Sequence, residues 1–165
     1  MLFAGTPTVT GFPSDKATAA VGIPLWNDRS YEILAMPEFL EGTILFQGPH
    51  RDVSSGTTIT VETSPPSTIY VAFGNMYGVY GNLTSTLPSK GWALVSGRVK
   101  FAGPGGYLDK IWTKTVTTQH VEGFTTNGDE LTHAIFVKEG NFSKFSECTY
   151  YVLINQFRLY ILTLL

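Results

Sequence analysis

Three histidines, one cysteine and 13 acidic side chains are the first candidates for acid–base, nucleophilic or metal chemistry in this chain. His50, His120 and His133 are far apart in sequence. Nucleophilic catalysis needs a serine or cysteine held beside a base. Cys148 has no histidine near it in sequence and reads as a packed or incidental thiol. Glycoside hydrolysis needs two carboxyl groups about 5–9.5 Å apart across one cleft. Glu38 and Glu41 are the close acidic pair on an expected helical turn, and they read as a solvated face. Asp28, Asp52 and Asp109 could offer oxygen ligands to Ca²⁺, but they form no dense acidic cluster. Gly103-Pro104-Gly105-Gly106 contains proline and precedes no helical pattern, so it is not a phosphate-cradling loop. The expectation is therefore no catalytic residue, no metal site, no cofactor and no enzyme activity.

Binding chemistry has better material. Aromatic faces suit the apolar faces of sugar rings, while a few placed polar groups fix the hydroxyls. Trp92 directly follows Gly91 at a strand start and reads as core. Trp112 shares a strand face with Lys110 and Lys114. That face reads as solvated, with the lysine stems flanking the indole. Tyr77 and Tyr80 fall in a long glycine-rich loop, and loops on a rigid scaffold commonly carry recognition. The ligand-binding candidates are thus Tyr77, Tyr80, Trp112, Lys110 and Lys114. Trp26 is expected to pack the approach to the first strand, with Asp28-Arg29 as an ion pair or turn lock. Asn82-Leu83-Thr84 and Asn141-Phe142-Ser143 are glycosylation sequons in predicted loops, which makes Asn82 and Asn141 acceptor candidates in a eukaryotic secretory setting.

These residues must be positioned by strands. The chain has 165 residues, enough for one domain with its own core. Charged residues are 15%, against about a quarter in an average soluble domain. The gap is filled by 21 Thr and 11 Ser, with 17 Gly and 9 Pro for turns. Threonine and aromatics suit a pleated surface, and a helical bundle would be rich in Ala, Glu, Lys and Leu. A net charge of −2 and a pI near 5.9 argue against a nucleic-acid partner. One cysteine excludes an intramolecular disulfide framework.

Residues 36–42 read as one helical turn, with Pro37 near its start and Gly42 past its end. Strands are expected at residues 30–34, 43–47, 57–63, 68–73, 92–95, 98–101, 108–118 and 131–138. Residues 57–63 (TTITVET) alternate, and 68–73 (TIYVAF) are nearly continuous and so central in a sheet. The Ser64-Pro65-Pro66-Ser67 turn suggests that these two strands form a hairpin. About eight short strands without crossover helices predict an all-β antiparallel sandwich, of jelly-roll or immunoglobulin-like topology. Residues 1–22 read as a flexible lead-in, 23–140 as the sandwich, and 141–165 as an apolar extension.

The stretch 150–165 (YYVLINQFRLYILTLL) contains Arg158 and falls short of the roughly 20 apolar residues of a membrane span. Three readings stand open for it: a final element packed on the core, a sequence foreign to the mature domain, or a membrane-surface anchor. Self-association through residues 150–165 is a further consequence of its apolar character. The N-terminus shows no basic region followed by an apolar run, so no signal peptide is read there.

The motif order Asp28-Arg29-Ser30-Tyr31, then Met36-Pro37-Glu38-Phe39-Leu40-Glu41-Gly42, then Pro66-Ser67-Thr68-Ile69-Tyr70-Val71-Ala72-Phe73, then Leu87-Pro88 and Gly91-Trp92, resembles a known type of module. These are small β-sandwich modules appended to secreted bacterial carbohydrate-active enzymes and other extracellular proteins. Asp109-Lys110-Ile111-Trp112-Thr113-Lys114 resembles their late aromatic-x-Lys strand. The resemblance covers residues 23–139. It departs at Gln47-Gly48-Pro49-His50 and in the loop 74–81, and the last sixteen residues have no counterpart. It implies an extracellular or cell-surface, non-catalytic accessory module, with a glycan or parent-chain domains as partners. Two functional expectations follow: a binding or adhesion module, glycan-directed, or a structural module that self-assembles in a surface coat. A hydrolase stands third.

Overall fold

The computed structural model describes residues 6–50, 56–63, 66–74, 86–125 and 133–140. Twelve strands occur among them: β1 (Thr8–Thr10), β2 (Asp15–Thr18), β3 (Ile33–Ala35), β4 (Ile44–Gln47), β5 (Thr58–Thr63), β6 (Ser67–Phe73), β7 (Ala93–Val95), β8 (Val99–Phe101), β9 (Tyr107–Leu108), β10 (Lys110–Val116), β11 (His120–Thr125) and β12 (His133–Glu139). They form a six-stranded sheet in the order β2-β4-β12-β6-β10-β7 and two three-stranded sheets, β1-β5-β11 and β3-β8-β9. Every pairing is antiparallel. The all-β antiparallel sandwich expected from composition is present.

Alternation along the large sheet explains how the layers stack. Successive strand side chains point to opposite faces. Tyr70 and Ala72 of β6, Ala134 and Phe136 of β12, and Ile111 of β10 join one core cluster with Ile33, Val99, Phe101 and Leu108 of the β3-β8-β9 sheet. Ile69, Val71 and Phe73 of β6, Ile135 and Val137 of β12, and Trp112 of β10 join a second cluster with Ile59, Val61 and Phe124 of the β1-β5-β11 sheet. The six-stranded sheet is therefore the middle layer and is apolar on both faces. This is why residues 68–73 read as a nearly unbroken apolar run.

Several expectations about connectivity are corrected. β5 and β6 are not a hairpin: β5 pairs with β1 and β11, while β6 pairs with β10 and β12. The Pro-rich link between them joins two layers. It lacks the Asn-Gly or Gly-X pair that a tight hairpin turn requires. The first strand of the expected set is shorter and later, at Ile33–Ala35. Residues 108–118 are split at Asp109, whose N–H donates to the Phe73 carbonyl, so that β9 and β10 enter different sheets. β7 and β8 also part company, at Gly97. Its φ is 128°, and a Cβ there would lie 2.6 Å from the Pro37 ring. Only glycine fits both demands.

The described part of the expected lead-in, residues 6–22, belongs to the sandwich. β1 borders β5, and β2 borders β4 at the rim of the large sheet. Val9 and Phe12 pack on the second core cluster, and Phe12 meets His133 edge-on at 5.4 Å. The short helical turn is a 3₁₀ turn at Glu38–Leu40, which buries Leu40. No helix among the described residues is long and apolar enough to cross a membrane.

Candidate functional site

Trp112 does not stand on a solvated face. It is 7% exposed and belongs to the core cluster that β11 covers with Phe124. The expected strands do not include β11, and without it the Lys110-Trp112-Lys114 face reads as open. Trp112 is therefore corrected from a ligand platform to a core residue. Trp92 is core as expected, at 4% exposed, and meets Phe124 edge-on at 5.4 Å. Neither indole N–H has a hydrogen-bond partner among the described residues.

Lys114 is likewise corrected, because its ammonium is engaged within the fold. It donates 2.8 Å to Glu122 Oε2 and 2.7 Å to the Lys90 carbonyl, and lies 5.9 Å from the Trp92 ring. The Lys90 carbonyl ends the 3₁₀ turn Pro88–Lys90, which Gly91 closes in the left-handed region at φ 80°. The His120 Nε2 lies 2.8 Å from the same Glu122 oxygen. Burial pushes the Glu122 carboxyl up, but the hydrogen bonds and charges of Lys114 and His120 outweigh it and hold the group below its ordinary range. This cluster ties β10, β11 and the turn before β7 together. Lys110, at the start of β10, is exposed.

The other two histidines lie elsewhere, and both meet Trp26. His50 is buried, with its ring 4.4 Å from the indole, and its backbone N–H donates 2.8 Å to Asp28 Oδ1. His133 is buried and accepts the indole N–H on its carbonyl at 3.0 Å. Asp28 also lies 3.5 Å from Arg29 Nη1, so the Asp28-Arg29 step forms an ion pair. Glu38 and Glu41 are exposed. Among the described residues no group of three or more His, Cys, Asp or Glu could hold a metal ion. Tyr77, Tyr80, Asn82, Asn141, Asp52, Cys148 and residues 141–165 lie outside the described residues.

The outer face of the β3-β8-β9 sheet carries a group that the sequence reading passed over. Val99 and Phe101 point into the core, so Lys100 between them points outward, and Arg98, just before β8, is exposed as well. The β8–β9 link uses Gly105 and Gly106 at φ 81° and 47°, and the Gly106 N–H closes on the Gly103 carbonyl at 3.1 Å. That hairpin sets Tyr107 opposite Lys100. The Arg98 guanidinium lies over the Tyr107 ring, 4.5 Å from its centre. Tyr107 is 36% exposed, and Ala35 of β3, opposite Lys100 on the other side, is exposed too. An aromatic ring, the guanidinium lying over it and an ammonium are thus close together at an exposed surface. The signal was available in the sequence: Arg98-Val99-Lys100-Phe101 alternates charge with apolar side chains.

Two glycoside hydrolase chains share this fold. One is a beta-glucuronidase from glycoside hydrolase family 2, with a TM-score of 0.56 and 12% identity, matched over 83% of this chain and 14% of that one. The other is a glycoside hydrolase family 138 enzyme targeting pectin rhamnogalacturonan II, with a TM-score of 0.58 and 16% identity, matched over 85% of this chain and 17% of that one. This chain therefore corresponds to a small β-rich part of each. No family model matches the chain, and no curated protein matches it in sequence.

Proposed function

We propose that this chain is a non-catalytic, glycan-directed β-sandwich module that works outside the cell. The observation that carries the reading is its fold, which recurs as a small part of two carbohydrate-active enzyme chains. The motif order resembling modules of secreted enzymes supports the extracellular setting. The outer face of β3-β8-β9 supplies a surface of suitable chemistry, because Tyr107 offers an aromatic ring and Arg98 and Lys100 offer hydrogen-bond donors. Strands β8 and β9 hold Lys100 and Tyr107, and Arg98 rests over the Tyr107 ring, so a ligand would meet a largely preformed surface at small ordering cost.

The intact chain should co-sediment with at least one polysaccharide in a panel of insoluble plant and microbial wall fractions. The same incubations should release no new reducing ends. Release of reducing ends that tracks the protein would overturn the non-catalytic part. A chain that stays in the supernatant with every fraction would overturn the binding part.

A further inference from the structure

We propose that the outer face of the β3-β8-β9 sheet binds acidic glycans and recognises the sugar carboxylate of a uronate residue. This rests on the glycan-binding reading above and names the class of ligand. Arg98, just before β8, and Lys100 within it place two exposed positive charges two residues apart, and neither forms an ion pair with any described residue. The whole chain has a net charge of −2, so this pair is a local cationic spot on a weakly acidic molecule. Exposed cations held close together repel each other, and an anion between them relieves that repulsion.

The geometry favours a planar carboxylate. A guanidinium stacked on an aromatic ring keeps its N–H edges free and fixed in one plane, which suits bidentate capture of a carboxylate. The Arg98 guanidinium carbon lies over the Tyr107 ring, 4.5 Å from its centre, which places the group for such an arrangement. Lys100, directly across the strand pair from Tyr107, adds a second charge that can swing to the same anion. The phenol hydroxyl and ring edge of Tyr107 then face the hydroxyls and apolar C–H groups of the sugar. Ala35, across from Lys100 on β3, is small and leaves the face open on that side. A nucleic-acid phosphate chain fits less well, since it needs an extended basic stripe rather than two cations on a chain of pI near 5.9.

Calorimetric titration of the intact chain with polygalacturonate, dextran, dextran sulfate and oligodeoxythymidine tests this. Polygalacturonate should bind more tightly than the other three, and its affinity should fall as salt rises. Arg98→Ala and Tyr107→Ala should each weaken it about tenfold, the loss of one charge-assisted contact or its support. Lys100→Ala should weaken it roughly threefold, and Lys138→Ala, on a different sheet, should leave it unchanged. All four side chains are exposed, so melting temperatures should match; where one falls, Arg98→Gln or Tyr107→Leu takes its place. Polygalacturonate binding that survives both Arg98→Ala and Tyr107→Ala overturns the proposal. So does tighter binding of dextran sulfate, which would name sulfate rather than carboxylate, or of oligodeoxythymidine. If dextran binds and polygalacturonate does not, this inference falls while the glycan-binding reading stands. If no glycan binds, both fall.

Discussion

Trp26→Ala should destabilise the protein by about 4 kcal/mol and lower its melting temperature by roughly 10–15 °C. Trp26 is 1% exposed and sits where the β3-β8-β9 sheet meets the middle layer. Its ring meets Phe101 edge-on at 4.8 Å, His50 at 4.4 Å and Tyr31 at 6.4 Å. Its N–H reaches the carbonyl of His133, the first residue of β12, across 107 positions of sequence. Alanine would open a cavity at that junction and remove the link. The three tryptophans also allow a finer comparison. Trp26→Phe loses both volume and a buried hydrogen bond, which contributes about 1 kcal/mol. Trp112→Phe loses volume alone, because its N–H has no partner among the described residues. Urea unfolding should rank Trp26→Phe as the costlier change. Equal costs at the two sites would show that the Trp26–His133 bond contributes nothing.

Glu122→Ala should cost about 3 kcal/mol at neutral pH. The carboxylate is 8% exposed in its side chain and the Lys114 ammonium 18%, so removing the acid leaves a half-buried cation without its partner. The loss should also depend on pH in a definite direction. Glu122 titrates below its ordinary value of 4.5 in the folded chain and returns toward that value on unfolding. Above about pH 4.5 the group is ionised in both states and its contribution is present in full. As the pH falls through that value the unfolded chain takes up the proton first, so the contribution fades and is gone below the folded value. The gap in unfolding free energy between the native chain and Glu122→Gln should therefore be widest near neutral pH and narrow progressively in acid. A gap that stays constant or widens in acid would mean that Glu122 is not held ionised by Lys114 and His120.

Strand existence was readable where one strand carries its own signal. Residues 68–73 are apolar on both faces because β6 is covered on both sides, and residues 57–63 alternate because β5 lies in an outer layer. Pairing was not readable, because the choice of partner is made by residues distant in sequence. β5 and β6 look like a hairpin locally, yet Ile59 and Val61 face the second core cluster from one side while Ile69 and Val71 face it from the other. β11 escaped notice because His120, Glu122 and Gly123 dilute its pattern. That omission misplaced Trp112 and Lys114, since β11 brings both the cover for the indole and the acid for the ammonium. β1 and β2 are not legible in the sequence because rim strands need few apolar residues. At the outer face, Tyr107 and Lys100 come together only through the β8–β9 hairpin, and sequence spacing alone does not announce that pairing.

Amide chemical shifts of the isotope-labelled intact chain, followed while neutral and uronate oligosaccharides are added, test the central claim most directly. The account predicts saturable shifts on adding the uronate series, concentrated at residues 98–100, 107 and 35, with the Lys114–Glu122 cluster unmoved. Amides that stay fixed with both series would contradict it, and so would shifts that centre on the Lys114–Glu122 cluster instead.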